Sequence, residues 1–496
     1  MNPFTASELK PAYQTGIGLY AQDKWQVTPR LTVTYGVRWD GTRNPQTQSR
    51  IAGQMVYAGV GAGSHLIPVP QNVPNDYEQW GPRVGAAWNV GGTSHPTTVR
   101  AAWGFYYAQT PTIFFPTLGS SKAQTLFCPT QFGCNPASGA PYIYPSALPI
   151  TVDQMCTQSV IGCPSINYTD PAFKNPRVSN LTVGVEHQVA SNWTVAVNYA
   201  FMHSDRLKTG GFSTSNWQRN FVSAGTDQFG RTILAQEPGG VGTCAATGAL
   251  VFGALPADCT VSVFGDGSLA SFSHGNYHSL VVSANRRFSN HFLFFANYTW
   301  SRNFSNDSSE RDTDTFFGAQ DPFNIAIDYG RNGLDITHQF KSGIVADLPH
   351  GFSWSSNFIA HSGLAYPAYS TVDENGDGVI NQFSNNDRPV VTLGGKSFLL
   401  TRYPARQPNF FTWDMRISKN FNFSERYQIR LIADIYNVTN RGNLYSNPDN
   451  SAFVPPALTA IPKQGDVFSG ATYGVRDQIS PGSTPFGAQF GVRFQF

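Results

Sequence analysis

The chain has 496 residues, of which 13% are charged and 14% aromatic, with a net charge of +2 and a mean hydropathy of −0.25. Scattered, nearly balanced charge excludes an electrostatically driven nucleic-acid binder. A polar average with no long uncharged apolar run excludes a helical membrane protein.

The amino end, MNPFTASELKPAYQTG, has no apolar core after its Met and does not read as a signal peptide. Residues 1–13 are expected to be poorly structured. From there on, period-two alternation recurs and helical periodicity is almost absent. LTVTYGVRW places Leu31, Val33, Tyr35, Val37 and Trp39 on one face. WTVAVNYAF does the same with Trp193 to Phe201, FLFFANYTW with Phe292 to Trp300, and YQIRLIADI with Tyr427 to Ile435.

These strands come in pairs joined by short links. Residues 17–25 and 31–39 are joined through QVTPR, 84–90 and 99–107 through GGTSHPTT, and 181–189 and 193–201 through ASN. Residues 277–288 and 292–300 meet at SNH, 340–348 and 352–361 at PHG, and 411–421 and 427–435 near NFSER. A last strand, FGAQFGVRFQF, ends the chain. Long stretches separate the pairs: about 41–79, 108–176, 205–275, 303–336, 363–409 and 440–485. Strict alternation of short turns and long loops is foreign to a compact soluble domain. It fits an antiparallel transmembrane β-barrel with short periplasmic turns and long extracellular loops, and within lipid only a closed sheet satisfies its backbone.

All six cysteines, Cys128, Cys134, Cys156, Cys163, Cys244 and Cys259, fall in the long stretches. An even count in loops makes them candidates for disulfides in an oxidising compartment, sequential pairing being the simplest arrangement; free surface thiols are the alternative. They contain no CxxC pair and do not suit zinc.

DENGDGVINQFSNNDRP, 373–389, begins like a calcium loop. Asp373, Asn375 and Asp377 take positions 1, 3 and 5, Gly378 supplies the turn at 6, the Val379 carbonyl falls at 7 and Asn381 at 9. Ser384 stands where the bidentate Glu belongs, and Asp387 is placed to fold back in its stead. Structural Ca2+ is the candidate cofactor and a plain acidic loop the alternative. Extended chain on both sides argues against a helix-opening sensor.

Catalytic chemistry finds little support. Glu310, Asp312 and Asp314 with Arg311 read as a solvated outer loop, and Asp335 with His338 reads as pinning a strand start. No GxSxG, HExxH, P-loop or dinucleotide fingerprint occurs. Arg38, Arg286, Arg416, Arg430, Asp434 and Arg493 are expected on the lumen face, and Trp25, Trp39, Trp193, Trp300 and Trp413 as interface anchors.

The chain resembles the barrel of TonB-dependent outer-membrane receptors, close to the Oar-like group, from about residue 14 to Phe496. LYAQDKWQVTPRLTVTYGVRWD (19–40), GPRVGAAW (81–88), NYHSLVVSANRRFSNHFLFFANYTWSRN (276–303), FNIAIDYGRNGLDITHQFKSGIVADLP (323–349), the 373–389 stretch and LIADIYNVTNRGNLYSNP (431–448) carry the resemblance. The alternating last strand with its terminal Phe resembles the signature read by the barrel-assembly machinery, which implies a periplasmic carboxyl end. The resemblance further implies an outer-membrane location, lipid as surroundings, a plug, the TonB system as partner, and uptake of a large or scarce extracellular substrate. Plug and early strands are not found among these residues, and thirteen strands is an odd number. The expectation is therefore the carboxyl-terminal part of a longer barrel, 14–496, without its plug. The rival readings are a structural or adhesive surface protein and a secreted all-β carbohydrate-active enzyme.

Overall fold

The computed structural model describes residues 13–44, 55–59, 65–68, 70, 72–90, 94–110, 167–209, 215–216, 221–236, 241–244, 250–252, 259–261, 266–306, 321, 324–370, 373–374, 387–424, 426–446, 453–454, 458–463, 465–468, 471–476, 478–480 and 483–496. Of the expected poorly structured stretch 1–13, residues 1–12 lie outside them.

One sheet runs through the molecule along a path of thirteen strands in chain order. They are β1 (Thr15–Thr28), β2 (Leu31–Arg43), β3 (Asp76–Asn89), β4 (Thr97–Tyr107), β5 (Arg177–Ala190), β6 (Trp193–Thr209), β7 (Asp266–Ser289), β8 (Phe292–Ser305), β9 (His338–Leu348), β10 (Phe352–His361), β11 (Phe410–Asn422), β12 (Gln428–Tyr436) and β13 (Gly487–Gln495). Every step along the path is antiparallel. Each strand expected from the sequence is present. Several run further into the outer loops than their alternation shows: β3 begins at Asp76, β6 ends at Thr209, and β7 spans 24 residues. Beyond the bilayer neither face needs to be apolar, so pairing continues after the pattern stops.

The short turns use residues suited to tight reversal. Asn290 and His291 both have positive φ (45° and 69°) between β7 and β8, the backbone of a two-residue primed hairpin. At Pro29–Arg30 the Thr28 hydroxyl accepts from the amides of Arg30 and Leu31 (3.2 and 3.0 Å).

Register carries each apolar row into the next. Val33 faces Ala86, Tyr35 faces Val84, Val84 faces Trp103, Trp103 faces Leu181 and Leu181 faces Phe201. At the far end Leu431 faces Val492 and Ile429 faces Phe494. This face is open to the surroundings; Phe490 and Val492 are 80% and 73% exposed. A continuous exposed apolar face of this extent requires a lipid partner. The polar handles on it are tied within the sheet. Tyr35 Oη donates to Asp23 Oδ2 (2.9 Å), Trp103 Nε1 to Ser179 Oγ (3.1 Å) and Trp413 Nε1 to Ser356 Oγ (2.7 Å). Tyr199 pairs with His278 and Tyr298 with His338 (2.9 and 2.8 Å).

The apolar cluster of buried residues lies in the outer loops. Tyr366, Ala368, Val391, Leu400, Leu458 and Tyr473 pack together, with Ala405 against them. They come from the loops after β10 and β12, which form small paired strands: Val390–Leu393 with Lys396–Leu399, Ala365–Tyr366 with Ala405–Arg406, and Tyr369–Ser370 parallel to Phe453–Val454. These loops are thus a folded platform. At the sheet's two ends, among the described residues, β1 pairs with β2 alone and β13 with β12 alone.

Candidate functional site

The outer platform is fastened to its neighbouring loops by buried charge. A short 3-10 turn, Ile325–Asp328, follows β8 and buries Asp328 completely. Its carboxylate receives Arg388 Nη2 on one oxygen and Arg402 Nη2 (3.5 Å) on the other, while Arg388 Nη1 donates to the Ile327 carbonyl (2.8 Å). Burial pulls the Arg388 guanidinium below its ordinary value, and Asp328 opposes that pull. The same burial raises the Tyr369 phenol well above its usual range.

A second node repeats the arrangement seven residues on. Asp335, 1% exposed, is paired with Arg406 (2.5 Å) and Arg331 (3.3 Å), and it accepts the Asn303 amide at the end of β8 (2.7 Å). Arg406 also donates to the Asp335 and Gly363 carbonyls (3.0 and 2.8 Å). A third node brings in the loop after β6: Arg231 pairs with Asp227 (2.6 Å) and reaches the carbonyls of Arg388 and Glu374 (3.5 and 3.4 Å). The Thr232 amide donates to Asp321 Oδ2 (2.8 Å), and Asn324 Nδ2 to the Gly230 carbonyl (3.0 Å). The loop after β12 joins through Gln407 and Ser446, which exchange two hydrogen bonds (2.7 and 2.9 Å), and through Tyr473 Oη to the Pro367 carbonyl (2.5 Å). Loops after β6, β8, β10 and β12 are therefore held as one outer assembly. A buried carboxylate between two guanidiniums is well satisfied only while all three groups stay in place.

Opposite the lipid face, charged residues project from the wall in ladder positions. Arg38 grips Asp40 with both Nε and Nη2, and Arg416 pairs with its register partner Asp434 (2.5 Å). Arg177 and Asp205 (2.5 Å), register partners at the outer ends of β5 and β6, instead share the face of the outward row Trp103, Leu181 and Phe201. Arg430 Nε donates to Asn420 Oδ1 (2.6 Å), and Arg493 stands opposite Arg430. Arg286 departs from expectation. Its register partners are Trp193 and Phe294, which belong to the apolar face, so it lies on the outward side. It is 6% exposed, its guanidinium carbon is 3.3 Å from the Phe292 ring centroid, and Nη1 donates to the Phe292 carbonyl (2.8 Å). Next to the short turn, a long side chain lies along apolar rings and ends at the backbone, which removes the need to face the lumen.

Asp335 and His338 do not form an acid–base pair. Asp335 serves the arginine node, whereas His338 pairs with Tyr298 on the outward face. Glu310, Arg311, Asp312 and Asp314 lie outside the described residues. In the calcium-like loop, Asp373 and Asp387 are described, and Asn375, Asp377, Val379 and Asn381 lie outside. Asp387 Oδ2 accepts the Glu374 amide (2.5 Å) and its carbonyl accepts the Ser370 amide (2.6 Å), so it folds back on the start of the loop. Of the cysteines, Cys128, Cys134, Cys156 and Cys163 lie outside the described residues. Cys244 and Cys259 are Cα partners on antiparallel strands Val241–Cys244 and Cys259–Val261. The arginine nodes went unrecognised in the sequence, where their members are single charges in aperiodic Gly/Asn/Pro-rich segments. The one available signal is that a chain with so few charges places several of them in those loops.

Comparison with known proteins agrees with this architecture. The family model "Outer membrane beta barrel domain" matches residues 4–476. The TonB-dependent transporter Oar of Myxococcus xanthus is 24% identical over 457 residues, covering 86% of this chain and 35% of that protein. The chain thus spans about a third of the length of this curated relative. Among solved structures, the ferric enterobactin receptor of Pseudomonas aeruginosa matches with TM-score 0.44 at 10% identity, covering 97% of this chain and 45% of that one. The ferripyoverdine receptor of the outer membrane of the same organism matches with TM-score 0.44 at 9% identity, over 97% and 39%.

Proposed function

Since the chain belongs to the outer-membrane β-barrel family of TonB-dependent receptors, we propose that it forms the carboxyl-terminal wall and outer loops of a receptor that takes up a large or scarce extracellular substrate. The observation that carries this reading is the coupling of a long apolar outward face to an outer platform fastened by buried ion pairs. A protein that only adhered would need loops but no charged inner wall. Here Arg38, Asp40, Arg416 and Asp434 line the side opposite the lipid.

Among the described residues β1 and β13 each pair on one side only, which supports a barrel completed by further strands. Unpaired backbone groups cost several kcal/mol each in hydrocarbon, and pairing Thr15–Thr28 and Gly487–Gln495 with added strands removes that cost. In this reading the barrel-assembly machinery inserts the wall and a plug supplied elsewhere in the receptor engages TonB. Two finer features belong to the proposal. A structural Ca2+ in 373–387, with Asp373, Asn375, Asp377, Val379, Asn381 and Asp387 as oxygen donors, is supported by their spacing and by the folded-back Asp387. A Cys244–Cys259 bridge is supported by the direct opposition of the two positions in the register, where Cα separations are those a disulfide spans.

The test is uptake in cells producing the whole receptor, with labelled oligopeptide and oligosaccharide pools, with and without functional TonB. TonB-dependent accumulation that is lost on deleting 363–485 is the expected result. Surface binding without TonB-dependent accumulation would overturn transport in favour of adhesion.

A further inference from the structure

The cations of this chain fall into two populations. Towards the long loops they are matched to carboxylates: Arg38 to Asp40, Lys174 to Glu78, Arg177 to Asp205, Arg231 to Asp227, Arg388 and Arg402 to Asp328, Arg406 and Arg331 to Asp335. Around the short turns the pattern changes on the outward face, while on the inner face Arg100 keeps Glu186 (3.3 Å). Lys419 lies on the outward face, opposite Phe352 and Leu431 in the register. Its ammonium is 4.5 Å from the Phe352 ring centroid and 5.3 Å from that of Phe421, and it donates to the His350 carbonyl in the neighbouring turn. Arg426, exposed in the next turn, has its guanidinium carbon 5.7 Å from the Tyr427 ring centroid. Arg286 sits on Phe292 in the same manner, and Arg287 beside it is exposed. Among the described residues, Lys419, Arg426 and Arg286 are paired with rings and carbonyls and with no carboxylate.

An aromatic ring or a carbonyl holds a cation in place without cancelling its charge. The outward side of these short turns therefore presents positive charge just where the apolar face ends. That is the depth of headgroup phosphates, and long basic side chains at such a boundary extend their charge to it. We propose that the short-turn rim, centred on Lys419 and Arg426 with their rings Phe352, Phe421 and Tyr427, is a binding site for the phosphate of an anionic glycerophospholipid in the periplasmic leaflet. The ammonium of Lys419 and the guanidinium of Arg426 supply the charge; the rings pack on the first methylenes of the acyl chains. Arg286 provides a second, more buried positive point along the same rim. The inference rests on the membrane-spanning reading of the sheet and not on transport.

The experiment uses the whole receptor, extracted from outer membranes and placed in nanodiscs of phosphatidylcholine carrying either phosphatidylglycerol or none. Retained lipid is read by native mass spectrometry after stepwise detergent exchange. Phosphatidylglycerol is expected to be retained over phosphatidylcholine, and Lys419→Gln with Arg426→Gln to lower that retention roughly thirtyfold. Lys419→Arg should preserve it. Arg100→Gln removes a cation from the opposite face, where it pairs with Glu186 (3.3 Å), and should leave retention unchanged. Heat-modifiable gel mobility of each variant separates lost lipid from a lost fold. Equal retention of both lipids, unaltered retention in the double variant, or retention of lipopolysaccharide alone would each overturn the proposal.

Discussion

Asp328 and Arg388, sixty positions apart in the chain, are directly paired in the outer assembly with both side chains almost wholly buried. The pair joins the loop after β8 to the loop after β10, and Arg402 completes it from the far side of the Val390–Leu399 hairpin. Removing the carboxylate leaves two buried guanidiniums facing each other. Asp328→Asn is therefore expected to open the platform at a cost of about 3–5 kcal/mol, the range for breaking a buried pair. The wall does not depend on this node. Hydrogen exchange should lose protection in 363–409 while β9 to β12 keep theirs; equal loss in the strands would show that the loops and the wall are one cooperative unit.

Gly363 tests the same assembly by volume instead of charge. A Cβ built there would lie 1.6 Å from the Gln407 carbonyl oxygen, an overlap the backbone must move to relieve. Gln407 is anchored by its double hydrogen bond to Ser446, so movement at 363 breaks the junction between the loops after β10 and β12. Gly363→Ala should destabilise this junction by about 3 kcal/mol or more. Gly394→Ala, at positive φ (58°) with no atom near its missing Cβ, should cost about 1–2 kcal/mol from backbone strain alone. Limited proteolysis of 440–485 on intact cells distinguishes them: rapid cleavage in the first variant and near wild-type resistance in the second.

The outer assembly also has a pH dependence with a definite sign. His274, near the outer end of β7, stacks on Tyr329 with ring centroids 5.2 Å apart. Burial lowers its pKa below the ordinary histidine value, and His203 lowers it further. The neutral ring is therefore favoured in the folded form. Its contribution is fully present above the ordinary value of about 6.5 and is lost as pH falls through the depressed one. Acidification through that window should loosen the contact between β7 and the 321–335 loop. His274→Phe keeps the stack and should flatten the profile. Tyr329 fluorescence is crowded by other rings, so hydrogen exchange at 266–275 against pH is the measurement; an unchanged slope in the variant would remove His274 as the cause.

The wall was legible in the sequence because its information is local. Alternation along one strand reveals both the strand and its faces, and thirteen strands were read that way. Arg286 shows the limit of reading by charge instead of by parity. Leu280, Val282 and Ala284 share its face, so the alternation already placed it outward; only the expectation that charge avoids lipid pointed to the lumen. The arginine nodes were illegible for a different reason. Asp328 meets Arg388 and Asp335 meets Arg406 across separations of sixty and seventy-one positions, in segments with no period to set their orientation. The packing of the loops brings each of those pairs together, and no spacing rule anticipates it.

The 373–387 loop gives the last prediction. Its start is pinned by Asp387, whose carboxylate takes the Glu374 amide, and by Arg231, which takes the Glu374 carbonyl. The pins fix the two ends of the segment, and a cation would gather the oxygen donors between them. A hard cation drawing on Asp373, Asn375, Asp377, the Val379 carbonyl, Asn381 and Asp387 would do so, and extracellular sites of this chemistry work at roughly 10⁻⁴–10⁻³ M calcium. Chelation should therefore raise protease cleavage near Asp377 with no change in the heat-modifiable mobility of the barrel, and millimolar Ca2+ should reverse it more effectively than Mg2+, whose smaller octahedral shell fits a flexible loop poorly. Asp377→Asn should shift the calcium needed for protection upward while leaving the Asp387–Glu374 contact intact. Cleavage that ignores both chelator and calcium would leave 373–387 as an acidic loop closed by its own pins.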